Sequence, residues 1–153
     1  MLSDDVCTIS WHARPRSFVS LMTLYESNYI RLGWLAPELR RLRGSLVSRV
    51  MGEPALELSV VEQCRYTTAF QMTYLFGEDG ELERVPQLDV RVYHDARLAE
   101  ACGTGPGPIH PRLRRLAGVA TATRGERWSC NMLLNKWLEY CVECGHRFAV
   151  PVA

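Results

Sequence analysis

The chain predicts an α+β fold, a small antiparallel sheet of three to five strands covered by N- and C-terminal helices. Three observations lead there. Apolar residues near both ends recur at the three-and-four spacing of a helix, those in the middle alternate with the two-residue period of a strand, and a glycine-bounded tetrapeptide joins two of the alternating runs. Helices at the ends with hairpin-linked strands between them favour an antiparallel sheet with its helices on one face.

The first helix is expected from Pro15 to Leu32, where Phe18, Leu21, Met22, Tyr25, Tyr29 and Leu32 form a stripe that Gly33 would end. Pro37 suits the first turn of a short second helix reaching Arg43, its arginines gathered at the C-terminal end where cations are favoured. Gly44 then marks the change of period. Leu56, Leu58 and Val60 alternate with Glu57, Ser59 and Val61, and the run from Tyr66 to Phe76 puts Tyr66, Thr68, Phe70, Met72, Tyr74 and Phe76 on one face. Gly77 to Gly80 reads as a hairpin turn. In the return strand Leu88, Val90, Val92 and His94 face one way, and Asp89, Arg91, Tyr93 and Asp95 the other. Ala96 to Glu100 reads as helical or irregular, and residues 103–111 as a Gly/Pro loop. The last helix aligns Trp128, Met132, Leu133, Trp137, Leu138 and Cys141, with Gly145 placed to cap it.

With 153 residues the chain is expected to be a single domain, preceded over residues 1–14 by a disordered tail. Its 47% hydrophobic content argues against disorder, and 18 basic against 17 acidic residues argue against a general nucleic-acid binder. Every cation but Lys136 is an arginine, a side chain whose planar fork suits carboxylates and phosphates, which leaves room for a local anion site. Asp4 and Asp5 stand where a secretory signal would carry cations, and no run approaches the roughly 18 apolar residues of a membrane span. A cytoplasmic protein with reduced thiols, no membrane contact and no cofactor is the expectation.

Cys141-Val-Glu-Cys144-Gly-His146 invites a metal or redox reading. Covalent haem attachment would need His directly after the second cysteine, where Gly145 stands. Structural zinc needs four ligands, and only Cys102, Cys130, His94 or His110, at no diagnostic spacing, could complete Cys141, Cys144 and His146. A redox pair belongs at a helix N-terminus, whereas this one falls at a C-terminus. Two packing cysteines are therefore favoured, and metal ligation by Cys141, Cys144 and His146 is expected only if zinc is found. Among polar runs Tyr93-His94-Asp95 is the most suggestive, although on a strand His94 and Asp95 point to opposite faces.

Several blocks together carry a family resemblance. Tyr25-Glu-Ser-Asn-Tyr29 with Leu35-Ala-Pro37, Glu62-x-x-Arg65-Tyr-Thr-Thr68, Asp89-Val-Arg-Val-Tyr-His-Asp-Ala96 with Ala99-Glu100, and Asn131 with Trp137-Leu-x-Tyr-Cys141 resemble the YqiB-like family of bacterial proteins, a domain of unknown function. Cys144 departs from it, falling where a close family match has histidine. The resemblance implies no established activity, and only gene neighbourhood connects it with nucleotide metabolism. It does single out the polar residues inside the matching blocks. Arg65, Tyr66, Arg91, Tyr93, His94, Asp95, Asn28 and Asn131 are the candidate ligand-binding residues. Arg65 could alternatively hold Glu26 or Asp95 in a buried pair, and the two asparagines could bond sheet backbone.

The expected function is a non-enzymatic binding or adaptor module for an as yet unknown protein partner or a small anionic ligand such as a nucleotide. The alternative is a hydrolase or phosphoryl-handling enzyme using His94 as acid/base with Asp95 or Glu26.

Overall fold

In the computed structural model, residues 18–77, 81–104 and 123–150 are described. Helix α1 spans Phe18–Leu35 and runs straight through Gly33. A glycine inside a helix costs about 1 kcal/mol against alanine. Leu32 and Leu35 on either side of it are buried, each worth roughly 1.5–3 kcal/mol, so packing overrides the stop signal. The helix ends instead where Pro37 restricts Ala36, after a last bond from Ala36 N to Leu32 O of 2.7 Å. The expected stripe is rotated as well: Phe18 is 74% exposed, while Leu24 and Asn28 are fully buried.

The expected helix from Pro37 to Arg43 shrinks to one 3-10 turn, Leu39–Arg41. So short a segment cannot repay helix nucleation, and Leu42 turns extended to bury its side chain. Gly44, at a positive φ of 68°, then redirects the chain into the sheet.

Five strands follow, β1 (Ser45–Ser48), β2 (Ala55–Gln63), β3 (Thr67–Phe76), β4 (Glu83–Tyr93) and β5 (Leu98–Thr104). They form an antiparallel meander in the order β1-β2-β3-β4-β5. The alternation read from the sequence holds in β2, β3 and β4: Leu56, Leu58, Phe70, Met72, Tyr74, Leu88, Val90 and Val92 are buried under the helices. Ala96 and Arg97 lie in the turn, as the irregular reading has them, whereas strand β5 corrects that reading for residues 98–100. Its segment is Leu-Ala-Glu-Ala-Cys-Gly-Thr, with alanines at the inward positions 99 and 101, because both helices lie against this strand and only small side chains fit. Gly103 and Thr104 complete β5, whereas residues 105–111 of the expected loop, the turn residues 78–80 and the tail at 1–14 lie outside the described residues.

One irregularity in β2 positions the site. Val60 pairs with Phe70, Glu62 with Ala69 and Gln63 with Thr68, so Val61 is an extra residue, 66% exposed, in a β-bulge. Strict alternation from Leu56 would point Gln63 away from the helices. The bulge resets the phase and turns it to the same side as Thr68.

Helix α2 (Thr123–Cys144) closes the inner face with Leu133, Leu134, Trp137, Leu138 and Cys141, all at most 1% exposed. Tyr74 packs edge-on against Trp137 at 5.2 Å between ring centroids. Gly145, at φ 100°, ends the helix in a Schellman motif, its N–H bonding Val142 O at 3.1 Å and that of His146 bonding Cys141 O at 3.0 Å.

Candidate functional site

A cleft of about 350 Å³ opens where the end of α1, the 3-10 turn and the end of β4 meet. Leu32, Ala36 and Val92 make its apolar floor, Arg40 and Arg41 its cationic side, with Glu38 beside them as its one acid, and His94 and Tyr29 its remaining polar wall. Strand β4 stops at Tyr93, so His94 opens the turn that follows and its ring falls on the helix side of the sheet. Arg41 pairs with Glu38 at 3.0 Å, on an exposed rim where such a pair is worth under about 1 kcal/mol. Arg40 spends one nitrogen on Arg65 O at 2.9 Å, and among the described residues its other donors make no further bond.

His94 is held from two sides. Its backbone N–H bonds Tyr66 O at 2.8 Å, and its Nε2 lies 2.7 Å from Thr68 Oγ1. Thr68 in turn donates to Gln63 Oε1 at 2.6 Å. Partial burial, then the Arg40 charge, hold the imidazole below its usual pKa, with Asp95 opposing them through space. Among the described residues no carboxylate is hydrogen-bonded to the ring.

The candidate residues divide among three places. Arg65, Tyr66 and His94 gather at the cleft end of the sheet, with the Arg65 guanidinium 5.2 Å over the Tyr66 ring. Arg65 is exposed, and among the described residues it makes no ion pair with Glu26 or Asp95. Arg91 and Tyr93 stand on the opposite face, opposite Glu100 and Leu98 of β5. There the Arg91 guanidinium bonds the Tyr93 oxygen, which donates to Glu100 Oε1 at 2.8 Å. That bond with Tyr93 is the main reason the Arg91 pKa is raised, while burial and then Glu100 raise that of Tyr93. Glu100 is also bonded by Tyr25, whose phenol is pushed up to about 12 by burial and the same carboxylate.

Asn28 and Asn131 occupy the third place, fully buried at the free edge of β5. Asn131 accepts from Ala101 N at 2.8 Å and donates to Ala101 O at 3.4 Å, and Asn28 donates to Ala99 O at 3.2 Å. They bond sheet backbone, the alternative that the sequence left open. Asp95 and Glu26 are exposed, in the turn after β4 and on α1.

The cysteine motif divides too. Cys141 is buried with Sγ 3.5 Å from the Tyr74 hydroxyl, and burial pushes its thiol up to about 12. His146 Nδ1 lies 2.9 Å from Ser48 Oγ, and among the described residues no three His, Cys, Asp or Glu side chains are grouped to hold a metal. Nothing in the sequence alone marks Gln63, Arg40 and Arg41 as site residues. The bulge hides Gln63, whereas the cluster Arg40-Arg41-x-Arg43 beside a proline is visible in the sequence but fits helix-end electrostatics equally well.

Among the described residues no helix is long and apolar enough to cross a membrane, which says nothing of a β-barrel. No solved structure matches the chain. The family described as "Protein of unknown function (DUF1249)" matches residues 31–147. The chain is also 30% identical over 135 residues to "Uncharacterized protein YqiB" of Escherichia coli K12, covering 88% of this chain and 94% of that protein. The YqiB of Escherichia coli O157:H7 is similar to the same degree. The family model runs from the last turn of α1 through all five strands to the end of α2, and on that extent the chain belongs to the YqiB-like, DUF1249 family of proteins of unknown function.

Proposed function

We propose that the protein is a cytoplasmic, single-domain binding module, without catalysis of its own, whose cleft at His94 takes a small anionic ligand such as a nucleotide. One observation carries the reading: the cleft sets Arg40 and Arg41 beside an apolar floor of Leu32, Ala36 and Val92. Its volume lies within the range of small-molecule sites, about 300–1,000 Å³, where an apolar body is buried and a few polar groups orient it. Arginine donors at the rim suit phosphate or carboxylate oxygens, and the floor suits a ring. The hydrolase alternative has less support. It requires a carboxylate to orient His94, and among the described residues none bonds the ring, whose Nε2 lies 2.7 Å from the Thr68 hydroxyl instead.

The reading is tested by following thermal unfolding with adenine and guanine nucleotides. A nucleotide at a hundred times its Kd is expected to stabilise the fold by about 2.7 kcal/mol. The Arg40→Ala variant is expected to weaken binding by roughly tenfold or more, since a charge-assisted bond contributes about 1.5–3 kcal/mol. Equal affinity in wild type and in the R40A/R41A double variant would remove the cleft as the site.

A further inference from the structure

Gln63 touches both walls of the cleft from behind. Its amide nitrogen donates to Leu39 O at 2.8 Å and to Leu42 O at 3.1 Å, the two carbonyls that bracket Arg40 and Arg41. Those two bonds fix which end of the amide is nitrogen, because a carbonyl can only accept. The amide oxygen must then be the atom 2.6 Å from Thr68 Oγ1, and the Thr68 hydroxyl must donate to it. Thr68 is fully buried and has a single hydroxyl proton. With that proton committed to Gln63, the 2.7 Å contact between Thr68 Oγ1 and His94 Nε2 can be a hydrogen bond only if Nε2 carries the proton.

The remaining ring nitrogen of His94, Nδ1, has no bond to the described residues. On a ring that lines the cleft, it is the polar atom left for a ligand. A neutral imidazole with Nε2 protonated offers a lone pair at Nδ1, so it receives a donor and repels an oxyanion.

We infer that Gln63 is a positioning residue of the cleft: through Thr68 it holds neutral His94 as the Nε2–H tautomer, so that Nδ1 meets the ligand as an acceptor. The ligand class narrows accordingly. Beside the anionic group that Arg40 and Arg41 would receive, the molecule carries an N–H or O–H donor at the His94 side, as a base amine or a ribose hydroxyl does and as sulfate does not. Because the same amide holds the Leu39–Leu42 turn, Gln63 also sets the spacing between the guanidiniums and the imidazole.

This inference rests on the cleft reading above, but its test does not. Nitrogen-15 NMR of the ligand-free protein, labelled in its histidine rings, reports the tautomer of His94 directly. The wild type is expected to show a protonated Nε2 and a bare Nδ1 at pH 7.5. In Gln63→Met, where the acceptor is gone and the Thr68 hydroxyl is free to donate to Nε2, the population is expected to shift toward Nδ1–H. Thr68→Val, which removes the hydroxyl altogether, serves as the second variant and is expected to relax the ring from a single tautomer to the mixture of a free imidazole, in which Nδ1–H is a visible minority. A wild-type ring found as Nδ1–H would overturn the inference, and so would an unchanged tautomer in both variants with near-ultraviolet circular dichroism intact. Failure of every nucleotide to bind would count against the cleft as a nucleotide site and would leave the tautomer result standing.

Discussion

Asn131 shows at the scale of single residues how a polar side chain in a matching sequence block is explained by packing. It is fully buried and bonds Ala101 N, Ala101 O, Asn28 and Arg127 O. Its amide thus serves the free edge of β5 as a neighbouring strand would, and covers backbone groups that invite strand addition. Asn131→Ala leaves the Ala101 amide buried with no partner, a loss expected to cost about 2–4 kcal/mol. Urea unfolding should show this as a lower midpoint at an unchanged slope, with added self-association as the uncovered edge finds other chains. An unchanged midpoint would show that water replaces the amide. In the sequence Asn131 is legible as a polar residue suited to bonding sheet backbone; the strand it serves is not legible. Residues 98–104 carry alanines and a glycine instead of β-branched side chains, because two helices press on them. Local propensity reports the strand only where packing leaves room for the side chains that signal it.

At the scale of elements, β2 carries one residue more than its ladder with β3 uses. Val61 stands outside the alternation, and the residues before and after it both keep their faces. Deleting Val61 is therefore expected to leave a folded protein with Gln63 still directed to the cleft. Strand β3 has no spare residue against β2, since Thr68, Phe70, Met72 and Tyr74 form one uninterrupted inward row. Deleting Gln71 turns either Thr68 and Phe70 or Met72 and Tyr74 outward, at roughly 1.5–3 kcal/mol for each large apolar side chain, and is expected to abolish folding. Circular dichroism and thermal melts of the two deletion variants check the contrast, and equal damage in both would contradict the bulge. The bulge also explains why the regular half of β2 was readable and the functional half was not. Leu56 and Leu58 obey the period, whereas Gln63 follows a phase change that no side chain announces. Gly33 failed as a stop signal for the opposite reason: two leucines that straddle it bury more than a glycine costs.

At the scale of the whole molecule, part-buried His94 and buried His146 tie stability to pH. Burial depresses the pKa of both His94 and His146, with Arg40 adding to the first. Each therefore binds its proton more weakly folded than unfolded, and its contribution is fully present above the unfolded value of about 6.5. It is lost as pH falls from there through the lower folded pKa. Urea midpoints are expected to hold level from pH 8 to 7 and to decline below 6.5, and His146→Gln should flatten part of that decline. A midpoint that rises on acidification through this window would reverse the assignment. The general architecture was legible in the sequence because two end helices and a central alternating run are long-period signals. The cleft was only partly legible, since His94 reaches it from the end of a hairpin, while its cationic wall comes from a turn remote in sequence.

The two helices meet each other and β5 across nearly the length of the described chain. For biosynthesis this sets an order of events. The five strands can pair hairpin by hairpin as they leave the ribosome, but the face made by Leu56, Phe70, Met72 and Leu88 has only α1 to shelter it until α2 emerges. During that interval the nascent chain presents a half-covered apolar sheet, and its need for a holding chaperone is greatest in the seconds before Trp137 is in place.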